Sequence, residues 1–298
     1  MARRPPGRLA ALLTAAALLT ACSGGGEGTT TTDADASSLV TTTTTAPPTS
    51  TTAGDTSTSS RVTTTTTGPV VTDVGIPEGD GPFPSVVLVH GGGWVVGSPE
   101  TMTALADYFN LQGYLTVNTA YQLSINAPGF PGAVEDVSCA VARAASHPRS
   151  NGQVTIIGHS AGAHIGAIVA LAADSFDNRC EPPDSGSPAR FVGLAGPYDI
   201  ERVGGIVVAF FGVDLEADPG LWASGNPMNL VGADTDLEVL LIHGDADGLV
   251  PVDFSESFAT NLEAGGVTVE LAILPGVNHS RVTSPQVVGD LIVGWIEG

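Results

Sequence analysis

Ser160 is the first residue whose type and surroundings could do chemistry. The run Gly158-His159-Ser160-Ala161-Gly162 fits the pattern G-x-S-x-G, follows the apolar residues VTIIG and precedes a helix-forming run. In this strand-to-helix context the pattern is typical of a nucleophile elbow, where small flanking residues let strand and helix approach each other. The N-terminus of the helix adds positive charge near the hydroxyl. The alternative is an ordinary turn serine, and the context favours the nucleophile.

A glycine run, HGGGW at His90–Trp94, ends the apolar stretch SVVLVH. Glycines leave backbone N–H groups unobstructed, and such donors can stabilise the oxyanion of a tetrahedral intermediate. We expect the N–H groups of Gly92, Gly93 and Ala161 to form this oxyanion hole. The alternatives are a tight turn or a phosphate loop. The run matches neither G-x-G-x-x-G nor the G-K-[ST] pattern, so phosphate binding is discounted.

A candidate acid and a candidate base follow two later apolar runs. The stretch HGDADGLVP at His243–Pro251 offers Asp245 and Asp247, which could also be calcium-type or simple turn aspartates. The stretch PGVNHS at Pro275–Ser280 contains His279 in a loop-type sequence. Serine, aspartate and histidine in this chain order predict a triad, in which histidine takes the serine proton and aspartate orients the imidazole.

The elements that must position these residues alternate along 69–298, which we predict to be one α/β domain. Near-continuous apolar strands separated by helices indicate a mostly parallel sheet covered on both faces. Residues 197–236 interrupt the alternation and predict a small cap, whose Phe210, Phe211 and Trp222 suggest an apolar acyl or aryl site, unless these rings are core. The predicted strands are Ser85–His90, Tyr114–Tyr121, Val154–Gly158, Phe191–Gly196, Glu238–Gly244 and Val267–Leu274, with Val70–Ile76 as a further possibility; the helices are Pro99–Gly113, Pro131–Pro148, Ala161–Ala173, Asp253–Gly266 and Pro285–Gly298.

These motifs carry a family resemblance. Phe83–Gly298 resembles the α/β-hydrolases of the esterase/lipase group with HGGGW, which includes hormone-sensitive-lipase-like, feruloyl-esterase-like and kynurenine-formamidase-like carboxylesterases; VNTAYQL, FPGAVEDVSCAV and GLAGPYDI also match. The resemblance implies an α/β-hydrolase fold and, through HG-x-x-D-x-x-VP, that Asp247 rather than Asp245 is the acid. Histidine at the second position of GHSAGAH favours the feruloyl-esterase or formamidase branch. Gln122 stands where the family usually has arginine.

The expected activity is that of a serine carboxylesterase acting on a small-molecule ester through an acyl-enzyme. The alternatives are an aryl amidase or formamidase, a lipase, or, in another class, a non-catalytic surface binding protein. Such a binding protein would be expected to lack a triad member, and none is missing here. No cofactor is expected. The sequence has no His-Glu-x-x-His or Cys-pair metal spacing, so no metal is expected either.

Residues 1–21 have the basic start and short apolar stretch of an export signal, too short to span a bilayer. LTAC at Leu19–Cys22 resembles a bacterial lipobox, which implies lipid on Cys22; the alternative is an ordinary signal with an incidental cysteine. Residues 22–68, rich in Thr, Ser and Gly, predict a disordered tether. We therefore expect a domain anchored by lipid on the extracytoplasmic face of the cell membrane.

Charge and cysteines agree with export. The chain carries 10 basic and 31 acidic residues, a net charge of −21, and no lysine. Such a surface repels nucleic acid and anionic headgroups, so no nucleic-acid partner is expected and membrane association would depend on the lipid. With Cys22 lipidated, Cys139 and Cys180 remain as a possible disulfide in an oxidising compartment, or as two buried thiols. The sequence predicts no oligomeric state.

Overall fold

The computed structural model of this chain describes residues 72–172, 175–176, 187–232 and 236–298. The predicted signal at 1–21, the lipidation site Cys22, the tether at 22–68 and Cys180 lie outside these residues. Cys139 is disulfide-bonded. Its pairing with Cys180 stays a prediction, which mass spectrometry of unreduced peptides tests. No helix in the described ranges is long and apolar enough to cross a bilayer.

A single sheet runs through the described part of the chain and contains seven strands in the order β1-β3-β2-β4-β5-β6-β7. Only β1 is antiparallel to its neighbour; the other pairs are parallel, as the apolar runs predicted. In the middle, Val87 pairs with Val117 on one side and Ile156 on the other. The strands are β1 Thr72–Gly75, β2 Phe83–Val89, β3 Leu115–Thr119, β4 Ser150–His159, β5 Arg190–Leu194, β6 Glu238–Gly244 and β7 Thr268–Leu274.

Helices cover both faces of this sheet. Because side chains alternate along a strand, Val87 and Val89 of β2 enter one core while Val86 and Leu88 enter the other. The first core is closed mainly by α2, α3 and α6 with the residues after β5, and the second by α1 and α7. The helices are α1 Thr103–Leu111, α2 Gly132–Ser146, α3 Ala161–Ala172, α4 Ile206–Phe211, α5 Pro219–Ser224, α6 Asp253–Ala264 and α7 Pro285–Glu297.

The segment predicted as a cap, 197–236, contains the short helices α4 and α5 and two 3-10 helices. Its three aromatic rings are core side chains: Phe210, Phe211 and Trp222 are at most 4% exposed. Phe211 stacks on Trp222 with 4.8 Å between ring centroids. The structure therefore favours the core alternative over the suggested acyl or aryl site. Among the described residues of this segment, the large apolar side chain of Ile206, at the start of α4, is exposed.

Candidate active site

The turn between β4 and α3 falls on Ser160 alone. Its φ of 53° lies in the left-handed region, which is uncommon for a residue with a side chain and is typical of functional sites. Two sets of backbone hydrogen bonds hold it there. The Ser160 N–H donates to the Leu194 carbonyl at 2.9 Å, and the Ser160 carbonyl accepts from Ala163 N–H at 2.9 Å. The serine lies at the carboxyl end of the central strand, where α/β sheets bind ligands.

Gly158 and Gly162 must be glycines because backbone atoms of neighbouring elements approach them too closely to leave room for a Cβ. A Cβ at Gly158 would lie 2.4 Å from the Gly162 carbonyl oxygen, and a Cβ at Gly162 would lie 2.3 Å from the carbonyl oxygens of Val89 and His90. Both distances are far shorter than any carbon–oxygen contact allows. Gly158 thus lets α3 pack against β4, as the motif predicted, while Gly162 lets α3 approach the end of β2.

The HGGGW loop folds beside the serine. A Cβ at Gly91 would lie 3.0 Å from the Ser160 Cβ. Gly92 has a φ of 129°, and a Cβ there would lie 1.8 Å from the Val96 carbonyl oxygen, so only glycine fits. Over the described ranges, no protein acceptor pairs with the N–H groups of Gly92, Gly93 or Ala161.

Trp94 fixes this loop to the helix that begins at the serine. The Trp94 Nε1–H donates to His164 Nδ1 at 3.2 Å, and His164 Nε2–H donates to the Gly225 carbonyl at 2.9 Å. Burial lowers the pKa of His164 to about 3, so the ring is neutral. His164 therefore connects the glycine loop, α3 and the segment after β5. The sequence analysis did not single out His164, although a polar histidine within the otherwise apolar AGAHIGAIVA could have indicated a buried hydrogen-bonding role.

His279 and Asp247 come together at the ends of β7 and β6. The His279 Nδ1–H donates to Asp247 Oδ2 at 2.7 Å. The Asp247 side chain is fully buried, and its Oδ1 accepts from the N–H groups of Leu249 and Val250 at 2.8 and 2.9 Å. Since an ionised carboxylate only accepts, the proton of this hydrogen bond lies on Nδ1 of His279.

Asp247 is held as a carboxylate. Burial alone would raise the pKa of Asp247, but the Val250 N–H, the His279 ring and the Leu249 N–H lower it below its usual value. His243 lies close to this carboxylate: its Nε2–H donates to the Val250 carbonyl at 2.9 Å, and the same nitrogen lies 3.3 Å from Asp247 Oδ2. Our sequence reasoning missed His243, although it stands four residues before Asp247.

Asp245, the other candidate acid, lies at the surface and does not bind His279 in the described structure. It is exposed, and its Oδ1 accepts from the Gly276 N–H at 2.6 Å. It thereby joins the loop after β6 to the loop after β7. Its hydrogen bond is that of a turn aspartate, whereas the hydrogen bond to His279 belongs to Asp247.

His159 lies between the proposed base and the glycine loop. Its Nε2 lies 3.0 Å from the His279 carbonyl oxygen, and the two rings are 4.8 Å apart. Burial, and then the neighbouring His279, lower the pKa of His159 to about 4. In the part of the chain that the structure describes, no group of three or more His, Cys, Asp or Glu side chains could hold a metal ion.

Comparison with known proteins supplies the family. The BD-FAE family model matches residues 72–262, more than half of the chain. The chain belongs to the BD-FAE family. The match covers the glycine loop, Ser160 and Asp247, and it ends before His279.

Curated relatives of this BD-FAE chain include esterases of Mycobacterium tuberculosis. It is 28% identical to Esterase LipQ over 66% of this chain and 50% of that protein. It is 27% identical to Esterase LipC over 66% of this chain and 53% of that protein. The chain thus spans about half the length of these relatives.

Solved structures show the fold. A truncated carbohydrate esterase from gut microbiota aligns with a TM-score of 0.66 at 19% identity, covering 76% of this chain and 90% of that one. A thermophilic esterase from Thermogutta terrifontis aligns with a TM-score of 0.65 at 18% identity, covering 80% and 93%. The BD-FAE chain has the α/β-hydrolase fold that its sequence predicted.

Proposed function

We propose that this protein is a serine carboxylesterase in which Ser160 is the nucleophile, His279 the general base and Asp247 the residue that orients it. The observation that carries the proposal is the 2.7 Å hydrogen bond from His279 to the buried Asp247 carboxylate. The His279–Asp247 pair lies at the same edge of the sheet as Ser160, whose backbone φ is positive. A turn serine needs neither a positive φ nor such a pair beside it.

The reaction proceeds by acyl transfer. Ser160 Oγ attacks the ester carbonyl carbon while His279 Nε2 takes the hydroxyl proton, and Asp247 stabilises the imidazolium. The N–H groups of Gly92, Gly93 and Ala161 donate to the oxyanion. The intermediate then collapses, the C–O bond to the alcohol breaks, and His279 returns its proton to the leaving oxygen. Water, deprotonated by His279, attacks the acyl carbon; the bond from that carbon to Ser160 Oγ then breaks, His279 returns its proton to Ser160 Oγ, and the carboxylic acid leaves.

The relatives support ester hydrolysis as the reaction. Two of them carry the name esterase, and a third, 28% identical over 74% of this chain, is the carboxylic ester hydrolase LipN of Mycobacterium tuberculosis. Their names concern proteins longer than this chain, so the activity here is a proposal that the site geometry supports independently.

Turnover of p-nitrophenyl acetate and butyrate, beside p-nitrophenyl octanoate and aryl amides, tests this function. We expect ester turnover by the wild type and a loss of at least about 10³-fold in kcat for Ser160→Ala, since triad serines elsewhere contribute that much or more. Ser146→Ala, which alters an exposed serine at the end of α2, is the matched control and should leave kcat unchanged. Preference for amides or octanoate would favour the amidase or lipase alternatives. Absence of turnover on every ester and amide would contradict the enzyme proposal and favour the alternative of a non-catalytic binding protein.

We also propose that the mature chain is exported and anchored to the extracytoplasmic face of the membrane through lipid on Cys22. Support comes from the sequence LTAC after a short apolar stretch and from the Thr-rich residues that follow it. The tether would hold the hydrolase domain away from the bilayer, and the acidic surface would not itself bind anionic lipid.

A further inference from the structure

The His159 side chain contacts two of the segments that the proposed reaction uses, and its backbone precedes a third. On one side its Nε2 lies 3.0 Å from the His279 carbonyl oxygen. On the other side, a Cβ at Gly91 would lie 2.8 Å from His159 Nδ1, so the ring fills the space against the glycine loop. Its own peptide bond leads into Ser160. One imidazole therefore spans the nucleophile, the oxyanion loop and the base.

Two hydrogen bonds fix His279 in the described structure. Its ring donates to Asp247, and its main-chain carbonyl accepts from His159. The neighbouring residues of the same loop are held elsewhere: Gly276 N–H by Asp245 Oδ1 at 2.6 Å, and Arg281 N–H by Asn278 Oδ1 at 3.0 Å. The Asp247 bond sets the orientation of the ring, whereas the His159 bond sets the position of the backbone that carries it.

The chemistry of the contact makes His159 a donor and not a second base. A carbonyl oxygen can only accept, so His159 Nε2 carries the ring proton. With a pKa of about 4, the ring is neutral at neutral pH. It therefore keeps its donor without placing a positive charge beside His279, whose ring becomes an imidazolium during acyl transfer. A positively charged side chain at this position would oppose that step.

We propose that His159 is a positioning residue that holds His279 against the Ser160 elbow by donating its Nε2–H to the His279 main-chain carbonyl. The inference rests on the proposed function. It explains why a histidine beside the nucleophile is useful although a second histidine is the base. Loss of the hydrogen bond lets the loop after β7 shift relative to the serine, and misplacement of about 1 Å can reduce turnover on the order of 10²-fold.

The test compares His159→Leu, which fills the space without a donor, with His159→Gln, whose amide can donate to the same carbonyl. His147→Leu is the matched control, because His147 lies at the end of α2, at the opposite edge of the sheet, and its ring accepts from the Arg149 N–H of the same turn. We expect kcat on p-nitrophenyl acetate to fall about 10²-fold in His159→Leu with little change in KM. We expect His159→Gln to recover most of this loss and His147→Leu to match the wild type.

A second readout does not depend on turnover. The Nδ1–H proton that His279 shares with Asp247 gives a downfield NMR signal, which should shift or broaden in His159→Leu and return in His159→Gln. If the wild type hydrolyses no ester but this signal responds, the proposed function fails and the positioning role stands. Unchanged kcat and signal in His159→Leu, or equal losses in the Leu and Gln variants, would overturn the positioning role.

Discussion

At the scale of single residues, the proposed site depends on which aspartate binds His279, the proposed base. The sequence left two candidates two positions apart, and only the family resemblance separated them. The structure separates them by environment: the Asp247 side chain is buried with three donors around its two oxygens, and Asp245 is exposed with one. A buried acceptor set of this kind keeps the carboxylate charged and the imidazole in one tautomer.

Asp247→Asn tests that distinction. The amide is nearly the same size, but it cannot stabilise an imidazolium and allows the wrong imidazole tautomer, so we expect kcat to fall by about 10⁴-fold. Asp245→Asn keeps an oxygen for the Gly276 N–H and should retain nearly full kcat. Steady-state kinetics on p-nitrophenyl butyrate measures both variants. A larger loss in Asp245→Asn than in Asp247→Asn would reverse the assignment.

At the scale of elements, the parallel strands and the glycine requirements were predictable, because both follow from short local patterns. The start of β4 was not: the structure begins it at Ser150, four residues before the predicted Val154, since polar Asn151 and Gly152 hide the strand from a hydrophobic pattern. The sequence also left the place of Phe210 open, because whether a ring faces the core or a substrate depends on tertiary packing. The role of His164 depends on contacts with Trp94 and Gly225, which are distant in sequence. The role of His243 depends on Val250, which the turn after β6 brings back against the ring.

Gly162→Ala tests the close packing of α3 against the end of β2. An added Cβ would lie 2.3 Å from two backbone oxygens that cannot move aside. We therefore expect the free energy of unfolding to fall by about 1–3 kcal/mol or more. Gly294→Ala in α7 is the control. A Cβ there meets nothing within 4 Å, and alanine favours the helix by roughly 0.5–1 kcal/mol. Urea unfolding measures both variants, and equal stabilities would contradict the close approach.

At the scale of the whole molecule, the parallel direction of the strands brings the candidate site residues to one edge of the sheet. The glycine loop, Ser160, Asp247 and His279 follow β2, β4, β6 and β7, and because these strands are parallel their carboxyl ends share one edge of the sheet. Chain order alone was therefore enough to predict which loops would meet. It could not predict the side-chain bridges between those loops, such as the one from His159 to His279.

The proposed anchoring also belongs to the whole molecule. Bacteria expressing the full chain with a clickable palmitate analogue should incorporate lipid into the wild type, and Cys22→Ser should abolish incorporation and release the protein from the membrane fraction. Cys139→Ser serves as the matched control, since it removes a cysteine of the hydrolase domain, and it should keep the lipid. Lipid incorporation that persists in Cys22→Ser, or is absent from the wild type, would refute the anchor.

The central claim is that Ser160 is an activated nucleophile. A fluorophosphonate reacts covalently with such a serine and not with ordinary hydroxyls, so mass spectrometry of peptides from the labelled full chain tests the claim most directly. We predict one phosphonyl group on the peptide that contains Ser160, with labelling lost in Ser160→Ala and strongly slowed in Asp247→Asn. Labelling of a different serine, or no labelling of the folded wild type, would contradict the account.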